Sequence, residues 1–398
     1  MEKRTVLVSG ASIAGPALAF WLHRFGFDVT IVERAEELRL GGQNIDVRDE
    51  AQKVVQLMGL EDEIRAANTG ELGIRFVDVN NHTLAEFPKT NGGFGTAELE
   101  ILRGDLAQVF FNATKDNIPY IFGDQILALV EDKDKVNVTF KNSTPRSFDL
   151  VIAADGIRSS TRKLIFGDEP VIKYIGVYCS YLTIPRIDSD TSWAYWYNAP
   201  ESRVLNLRPD NVGTTRASFS FLSPEKGYEK LSLQEQKGIL KQKFADAGWQ
   251  APRLLQGLEE SKDVYFDSIS QVKAPRWTNG RCAMVGDAAY CPTPMSGMGA
   301  SLSIVGAYVL AGELSRHQNH QDAFEAYEKL MRPYVEDIQN LPPGVPWLAH
   351  PKTKFGIKVF NTVLGIASSK LVKKITKLFD GKGKKEIKER IQLPYYNK

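Results

Sequence analysis

Two glycine-rich segments, far apart in the chain, contain the residue types that bind a dinucleotide. The first, Gly10-Ala-Ser-Ile-Ala-Gly15, directly follows the apolar run Thr5–Ser9. Gly10 permits a tight turn and Gly15 lets a helix pack close to the strand, so that the helix N-terminus offers free N–H groups to a pyrophosphate. Glu33 lies 23 positions after Gly10, where a carboxylate accepts hydrogen bonds from ribose hydroxyls and repels a 2′-phosphate. This segment therefore predicts FAD or NAD rather than NADP.

The second segment, Gly286 to Gly299, follows the apolar run Arg281–Val285. Asp287 can accept hydrogen bonds from ribityl hydroxyls, and the loop Pro294–Gly299 lets the backbone come close to a flat ring. The helix after it directs its N-terminus at the N1–C2=O edge of a flavin, where the helix dipole favours the anionic reduced form. Together the two segments predict one FAD held at both ends. The alternative for the second segment is an ordinary strand-to-helix turn.

The surrounding pattern predicts an α/β protein with a Rossmann-like FAD-binding domain, an inserted antiparallel β-sheet substrate domain and a C-terminal helix. Residues 5–34 have the pattern of a complete βαβ unit, with Pro16 in the first turn of its helix. Residues 171–222 alternate in polarity and are rich in aromatics, which is typical of an antiparallel sheet with one face turned to something large and apolar. The predicted boundaries are residues 1–76, 96–170 and 266–345 for the three parts of the FAD-binding domain, 77–95 for a hairpin of the substrate domain, 171–265 for its sheet and 346–398 for a basic helical lid or tail.

Composition and charge describe an ordinary globular protein. The 398 residues are 43% hydrophobic and 25% charged with a net charge of +2, so nothing indicates a nucleic-acid partner. The three cysteines have no metal-type spacing and suggest no disulfide framework, which fits a reducing compartment. No signal peptide or membrane span is evident, so we expect a cytoplasmic monomer without membrane association. His317 and His320 have helical ligand spacing but no third ligand, so no metal site is expected.

The C-terminal end is strongly basic. From Lys352 onward there are 13 Lys/Arg against three acidic residues. Apolar residues recur there at helical spacing, at Phe360, Leu364, Ala367, Leu371, Ile375 and Leu378. The favoured interpretation is a helix packed on the body, of which a lid over the substrate is a special case. A helix lying on a membrane surface is the alternative.

Three stretches resemble the group A FAD-dependent aromatic hydroxylases, the single-component monooxygenases of the para-hydroxybenzoate hydroxylase fold. They are Gly10–Gly15 with Glu33, Asp149–Gly156, and Gly286–Gly299. The last of these, together with two further stretches, Gly41–Arg48 and Glu100–Asp105, is most similar to the tetracycline-inactivating monooxygenases, or tetracycline destructases. The resemblance runs from residue 5 to about residue 335.

The resemblance implies a function and a set of cofactor contacts. In this family NADPH reduces FAD, O₂ adds to give a C4a-hydroperoxide, and one oxygen is delivered to an aromatic or polycyclic substrate, with tetracyclines the leading candidate. Because this chemistry belongs to the cofactor, no side chain is assigned as catalytic. The sequence has no second nucleotide-binding βαβ pattern, so NADPH is expected to bind transiently at the surface. The expected cofactor-binding residues are Gly10, Ser12, Ile13, Ala14, Gly15, Glu33, Arg34, Asp46, Arg48, Arg103, Asp155, Asp287, Pro294, Gly297, Gly299, Ala300 and Ser301.

Three positions depart from the family pattern. Ser12 stands where a glycine is usual, Tyr290 replaces a common histidine, and Ser301 stands where an asparagine often sits. The Ser12 hydroxyl can donate to phosphate, so we expect FAD binding to survive. Tyr290 and Ser301 leave the hydrogen bonding near the isoalloxazine ring open.

Substrate contacts are expected at Phe94, Trp196, Arg216, Phe219, Pro294 and Gly297, with ordinary packing or a solvated charge as the alternative for the side chains. Other classes of function stay open. They are another flavin-dependent oxidoreductase on the same fold, such as a reductase or epoxidase, a non-catalytic flavoprotein that sequesters its ligand, and a peripheral membrane protein that uses the basic tail. A halogenase is disfavoured because Trp193-Ala-Tyr-Trp196 has the wrong tryptophan spacing.

Overall fold

The computed structural model describes residues 3–89, 99–342, 344–369 and 390–396. The strands are β1 (Thr5–Ser9), β2 (Asp28–Glu33), β3 (Asn44–Asp46), β4 (Gly73–Val77), β5 (Thr83–Pro88), β6 (Glu100–Leu102), β7 (Tyr120–Phe122), β8 (Ile126–Glu131), β9 (Val136–Phe140), β10 (Arg146–Phe148), β11 (Leu150–Ala153), β12 (Val171–Pro185), β13 (Ala194–Ala199), β14 (Arg203–Pro209), β15 (Thr214–Leu222), β16 (Tyr265–Lys273), β17 (Thr278–Asn279) and β18 (Cys282–Met284). The helices are α1 (Ala14–Arg24), α2 (Glu50–Met58), α3 (Glu61–Ala66), α4 (Arg103–Asn112), α5 (Ser160–Phe166), α6 (Leu233–Phe244), α7 (Ala251–Glu260), α8 (Asp287–Tyr290), α9 (Gly299–Arg316), α10 (His320–Gln339), α11 (Val345–Ala349) and α12 (Lys354–Ser368).

A six-stranded sheet in the order β17-β18-β11-β1-β2-β7 forms the centre of the nucleotide-binding part. β1 pairs in parallel with β2 on one side and β11 on the other, so β1, α1 and β2 form the predicted βαβ unit. Gly10 has φ +110°, and a Cβ there would lie 2.5 Å from the Ala154 carbonyl oxygen. Only glycine therefore lets the turn after β1 come this close to the end of β11. α1 and α9 pack together over the sheet, where Trp21 meets Tyr308 with ring centroids 4.8 Å apart.

The second sheet has seven strands in the order β16-β12-β15-β14-β13-β4-β5. Neighbours pair antiparallel except β13 and β4, which run parallel. This confirms the antiparallel sheet predicted for residues 171–222, and the predicted hairpin of β4 and β5 joins the same sheet. β4 begins at Gly73, before the predicted domain boundary at residue 77.

Most aromatics of this sheet face the protein's own helices. Because alternate residues of a strand point to opposite faces, Tyr178, Phe219 and Phe221 all pack towards α6 and α7. Phe219 has no exposed surface and meets Phe244 of α6 with ring centroids 4.9 Å apart. The large apolar body expected opposite the sheet is therefore a pair of helices of the same chain. The packing leaves Phe219 no surface for the expected contact with substrate.

The opposite face of the sheet is more polar and is tied to the nucleotide-binding part by an ion cluster. Arg208 of β14 donates to Glu100 Oε2 at 2.5 Å and to Glu71 Oε2 at 2.8 Å. Burial raises the pKa of Glu100 to about 7, against the attraction of Arg208. The cluster fixes the position of β14 relative to β6 and to the chain that enters β4.

The C-terminal part returns to the body twice. α12 lies against β5, and its Phe360 meets Phe76 of β4 with ring centroids 6.0 Å apart, which confirms the helix packed on the body over the range of α12. Residues 390–396 return to α9, where Tyr396 Oη donates to Glu313 Oε1 at 2.6 Å. Leu371, Ile375 and Leu378 lie outside the described residues. In the described part of the chain, no helix combines the length and the apolarity needed to cross a membrane.

Candidate functional site

The two glycine-rich segments meet at one edge of the parallel sheet. β1 and β18 both pair in parallel with β11, so the turns that follow them leave the same edge, where open α/β sheets bind nucleotides. A Cβ on Gly286 would lie 2.8 Å from the Ala14 Cβ, which shows how closely the two turns approach. A Cβ on Gly15 would lie 1.9 Å from the Gly10 carbonyl oxygen. Glycine at these positions therefore keeps the start of α1 against both turns.

Glu33 lies beside the first turn, at the end of β2. Its two carboxylate oxygens accept hydrogen bonds from the Ala11 N–H at 2.9 Å and the Ala35 N–H at 3.0 Å. Arg34, the next residue, is exposed. The carboxylate is thus fixed where the sequence places the ribose contact. It borders a small groove lined by Ala11, Ser12, Glu33, Leu38, Arg39 and Arg103.

Arg103 positions the serine that departs from the family pattern. Its Nη1 donates to Ser12 Oγ at 2.9 Å, and its Nη2 donates to the carbonyl oxygens of Arg39, at 3.0 Å, and Gly41. Desolvation lowers the pKa of Arg103 without removing its charge. Because Ser12 Oγ accepts from the arginine, its own hydrogen is directed elsewhere. A cation and a hydroxyl donor therefore lie together beside the first turn.

Asp287 lies at the start of α8, beside the second turn. Its carboxyl is half-buried, and desolvation raises its pKa although the Cys291 thiol is a hydrogen-bond partner. A Cβ on Gly299, at the start of α9, would lie 3.7 Å from Asp287 Oδ1, so the helix N-terminus comes close to the carboxylate. A desolvated carboxylate is stabilised by hydroxyl donors. The chemistry of this carboxylate therefore fits a ribityl chain.

Asp46, Arg48, Gly297 and Ser301 come together on the other side of the second segment. Arg48 Nη2 forms an ion pair with Asp46 Oδ2 at 2.7 Å. A Cβ on Gly297 would lie 3.7 Å from the same carboxylate oxygen. The Ser301 hydroxyl accepts from the Arg48 N–H at 2.9 Å and donates to the Asp46 carbonyl at 3.4 Å. Ser301 thus joins the start of α9 to the chain after β3.

The loop between α8 and α9 holds an unusual backbone conformation. Thr293 has φ +88°, which a β-branched residue rarely adopts, and its buried hydroxyl has no partner among the described residues. Such outliers cost on the order of 1–3 kcal/mol and cluster at functional sites. Met295, two positions further on, contacts the second sheet, where it packs against the cluster that contains Val177 and Cys179. Pro294 and Gly297 therefore lie between the nucleotide edge and the second sheet.

Tyr290 points away from this site. Its side chain is buried in the core, where its hydroxyl lies 3.1 Å from Tyr327 Oη and its ring lies 4.8 Å from that of Trp277. Burial raises its pKa to about 12. A Cβ on Gly306 of α9 would lie 1.9 Å from the Tyr290 hydroxyl, so α9 makes room for the tyrosine. The sequence left open whether Tyr290 takes part in hydrogen bonding near the isoalloxazine ring. In the fold its side chain belongs to the core instead.

Other expected cofactor residues lie near the two turns with varied roles. Asp155 accepts from the Thr161 N–H at 3.1 Å and from the Ser159 hydroxyl, so its carboxylate holds the N-terminus of α5. Ile13 and Ala14 lie at the start of α1, and Ala300 lies in the first turn of α9. Phe94 lies outside the described residues.

A row of side chains crosses the face of the second sheet that is turned to the site. Trp196 of β13 pairs with Asn206 of β14, and Asn206 pairs with Ser218 of β15. The buried Asn206 Oδ1 has no hydrogen-bond partner in the described part of the chain. Asn206 and Ser218 are not among the substrate contacts predicted from the sequence. Their signal was the polar positions that alternate with Leu205 and Leu207 along β14 and with Phe219 along β15.

Arg216 lies at the end of the same face, where its charge is already paired. Its Nε donates to Asp210 Oδ2 at 3.0 Å, and its Nη1 donates to Thr183 Oγ1 at 2.7 Å and to the Gly42 carbonyl at 3.3 Å. The last contact joins the second sheet to the chain before β3. Arg216 therefore has a clear role in holding the two parts together.

Comparisons with known proteins agree with this geometry. A family model described as "FAD binding domain" matches residues 3–340. A flavin-dependent monooxygenase from an unknown prokaryotic organism is 40% identical over 339 residues, which cover 84% of this chain and 88% of that protein. The crystal structure of tetracycline destructase Tet(51) is similar with a TM-score of 0.81 at 32% identity, covering 99% of this chain and 100% of that one. That of Tet(55) has the same TM-score at 34% identity and covers 99% of both chains.

Proposed function

Since this chain belongs to the FAD-binding family that includes flavin-dependent monooxygenases, we propose that it is an NADPH-consuming monooxygenase that hydroxylates an aromatic or polycyclic substrate. The observation that carries the proposal is the close approach of the turn after β1 to the turn after β18. The two turns bring together groups suited to the two ends of one FAD, next to the polar face of the second sheet.

The chain's own residues bind and orient the cofactor. Bound FAD, once reduced by NADPH, supplies the activation of O₂ and the transfer of one oxygen. In the proposal, Arg103 and Ser12 take the pyrophosphate, Glu33 the ribose and Asp287 the ribityl hydroxyls. Arg103 and Ser12 are hydrogen-bond donors, which phosphate oxygens accept. Glu33 and Asp287 are carboxylate acceptors, which suit hydroxyl groups. The N–H groups at the start of α9 would face the ring of the bound cofactor and favour negative charge there.

The substrate wall in the proposal is the row that contains Trp196, Asn206 and Ser218. An aromatic ring beside an amide and a hydroxyl suits a flat substrate that carries several oxygen substituents. The structures of two proteins named as tetracycline destructases, at 32% and 34% identity, support tetracyclines as the first substrates to test. α12 lies against β5 and β13 at the edge of this wall, which supports its role as a cover that keeps water from the reacting groups.

The test is NADPH oxidation by the purified protein in the presence of a panel of tetracyclines and phenols, with mass spectrometry of the products. The expected result is bound FAD, oxidation stimulated by the substrate, and a product that gains one oxygen. Stimulated oxidation without added oxygen would instead indicate a reductase. Ligand binding without stimulated oxidation would indicate a protein that sequesters its ligand.

Two substitutions distinguish a role in substrate binding from a role in the structure of the second sheet. Asn206→Ala should raise KM for the substrate with little change in FAD content, because it removes a polar group from the site face. Ser180→Ala is the matched control, since Ser180 lies directly opposite Phe219 on the face covered by helices. Equal effects of the two substitutions on KM would contradict the proposed wall.

A further inference from the structure

α12 is apolar on both of its faces, and only one face is covered in the described part of the chain. The inner face packs on the second sheet through Phe360, and a Cβ on Gly365 would lie 3.2 Å from the Leu84 carbonyl oxygen. The outer face carries an apolar stripe, which we define as Phe355, Val359, Val363 and Ile366. A row of large apolar side chains on a second helix face is normally covered by another surface. The apolar stripe therefore indicates a partner.

The apolar stripe is a continuous surface feature. Its members are spaced by four, four and three residues, so they lie on one face of the helix. They are strongly exposed, with Phe355 at 76% and Ile366 at 60%. α11, just before α12, adds two more exposed apolar side chains, Trp347 and Leu348. Single exposed apolar residues are ordinary on soluble proteins, whereas a row of this length marks an interaction surface.

The charges along α12 and the chain segment before it are of one sign. Lys352, Lys354 and Lys358 are exposed at or beside the N-terminal half of α12. No Asp or Glu occurs anywhere between residues 338 and 379, whereas that stretch contains seven lysines. An apolar helix face flanked only by lysines is the composition of helices that lie in the headgroup region of anionic membranes.

We propose that the outer face of α12 docks this protein on an anionic lipid bilayer. The apolar stripe enters the boundary between headgroups and acyl chains, and the three lysines contact lipid phosphates and carboxylates. The sequence favoured a helix packed on the body, and the inner face of α12 packs in that way. The proposal assigns the outer face to lipid. The proposal concerns attachment only and is independent of the proposed catalytic function.

The experiment is co-sedimentation of the full-length protein with phosphatidylcholine vesicles that contain phosphatidylserine, and with phosphatidylcholine vesicles alone. The stripe variant is Val359→Gln/Val363→Gln/Ile366→Gln, since glutamine keeps helix propensity and removes the apolar groups. It should lose roughly a hundredfold in partitioning, at about fivefold for each side chain that no longer enters the membrane. Val130→Gln is the matched control, because Val130 is 62% exposed on β8 and lies far from α12 in sequence.

The charge component has its own variant. Lys354→Gln/Lys358→Gln should weaken binding to anionic vesicles roughly tenfold or more, and added salt should do the same to the parent protein. Because the altered side chains are exposed, the melting temperature of either variant should match that of the parent.

Four results would overturn the proposal. The first is absence of binding to anionic vesicles, and the second is equal binding to neutral ones. The third is a dimer of the parent that the stripe variant abolishes, which would assign the stripe to a second copy of the chain. The fourth is a lower melting temperature of the stripe variant together with no vesicle binding of the parent, which would assign the stripe to another segment of the same chain.

Discussion

His350 connects the C-terminal helices to the second sheet, and we predict that this connection weakens in acid. The ring is buried between α11 and β15, with Nδ1 2.8 Å from the Pro346 carbonyl oxygen and Nε2 2.9 Å from Ser220 Oγ. A carbonyl only accepts, so Nδ1 carries the hydrogen. Burial lowers the pKa of His350 from 6.5 to about 4, so the ring is neutral near pH 7 and Nε2 then accepts from the serine hydroxyl.

The sign and size of the effect follow from this difference in pKa. Because the folded value lies below the unfolded one, the unfolded chain binds more protons than the folded chain between about pH 6.5 and pH 4. Above this window His350 does not lower the free energy of unfolding. As the pH falls through the window, the free energy of unfolding falls, because protonation favours the unfolded chain. The complete loss is about 3.4 kcal/mol, of which about 2 kcal/mol is reached near pH 5.

The assay is urea unfolding of the parent and of His350→Gln at about pH 7.5 and about pH 5. The free energy of unfolding of the parent should fall by about 2 kcal/mol more than that of the variant, because glutamine does not titrate. Ser220→Ala is the control, since it removes one hydrogen bond but keeps the buried ring, and it should retain the additional loss. Equal losses in the parent and in His350→Gln would refute the reasoning.

Three further predictions concern the nucleotide-binding part. Gly306→Ala should lower the melting temperature sharply, because the new Cβ would lie 1.9 Å from the Tyr290 hydroxyl. Adding Tyr290→Phe should restore part of the loss. A melting temperature equal to that of the parent would contradict the packing. Asp287→Ala should release FAD, and a purified variant as yellow as the parent would contradict the role given to this carboxylate. Arg103→Met should weaken FAD binding about tenfold to a hundredfold, the effect of one charged hydrogen bond, and an unchanged Kd in a fluorescence titration would argue against its contact with the pyrophosphate through Ser12.

Most elements of the nucleotide-binding part could be predicted from local sequence. β1, α1 and the strand that ends at Glu33 follow from apolar runs, a proline in the first turn and a C-terminal glycine, all of which act over a few residues. The hairpin of β4 and β5 follows in the same way. Such signals are local, so a single sequence is enough to read them.

The errors concern the direction in which a side chain points. Phe219 and Trp196 are both aromatic residues of the second sheet, yet one faces α6 and the other faces the site. The period of two separates the two faces, but it does not say which face a distant helix will cover. Tyr290 was considered beside the flavin for the same reason. It enters the core because Gly306, on another helix, leaves room for its hydroxyl.

By itself, the sequence determined that two glycine-rich turns, a carboxylate at the end of the second strand and another after Gly286 are present, and that together they suit one FAD. These are properties of short segments, because turns, caps and strand ends depend on neighbouring residues. Folding alone brings Gly286 against Ala14, Arg103 against Ser12, and Phe360 of α12 against Phe76. Each of these contacts joins residues whose separation along the chain carries no information about their distance in space, so packing alone could establish them.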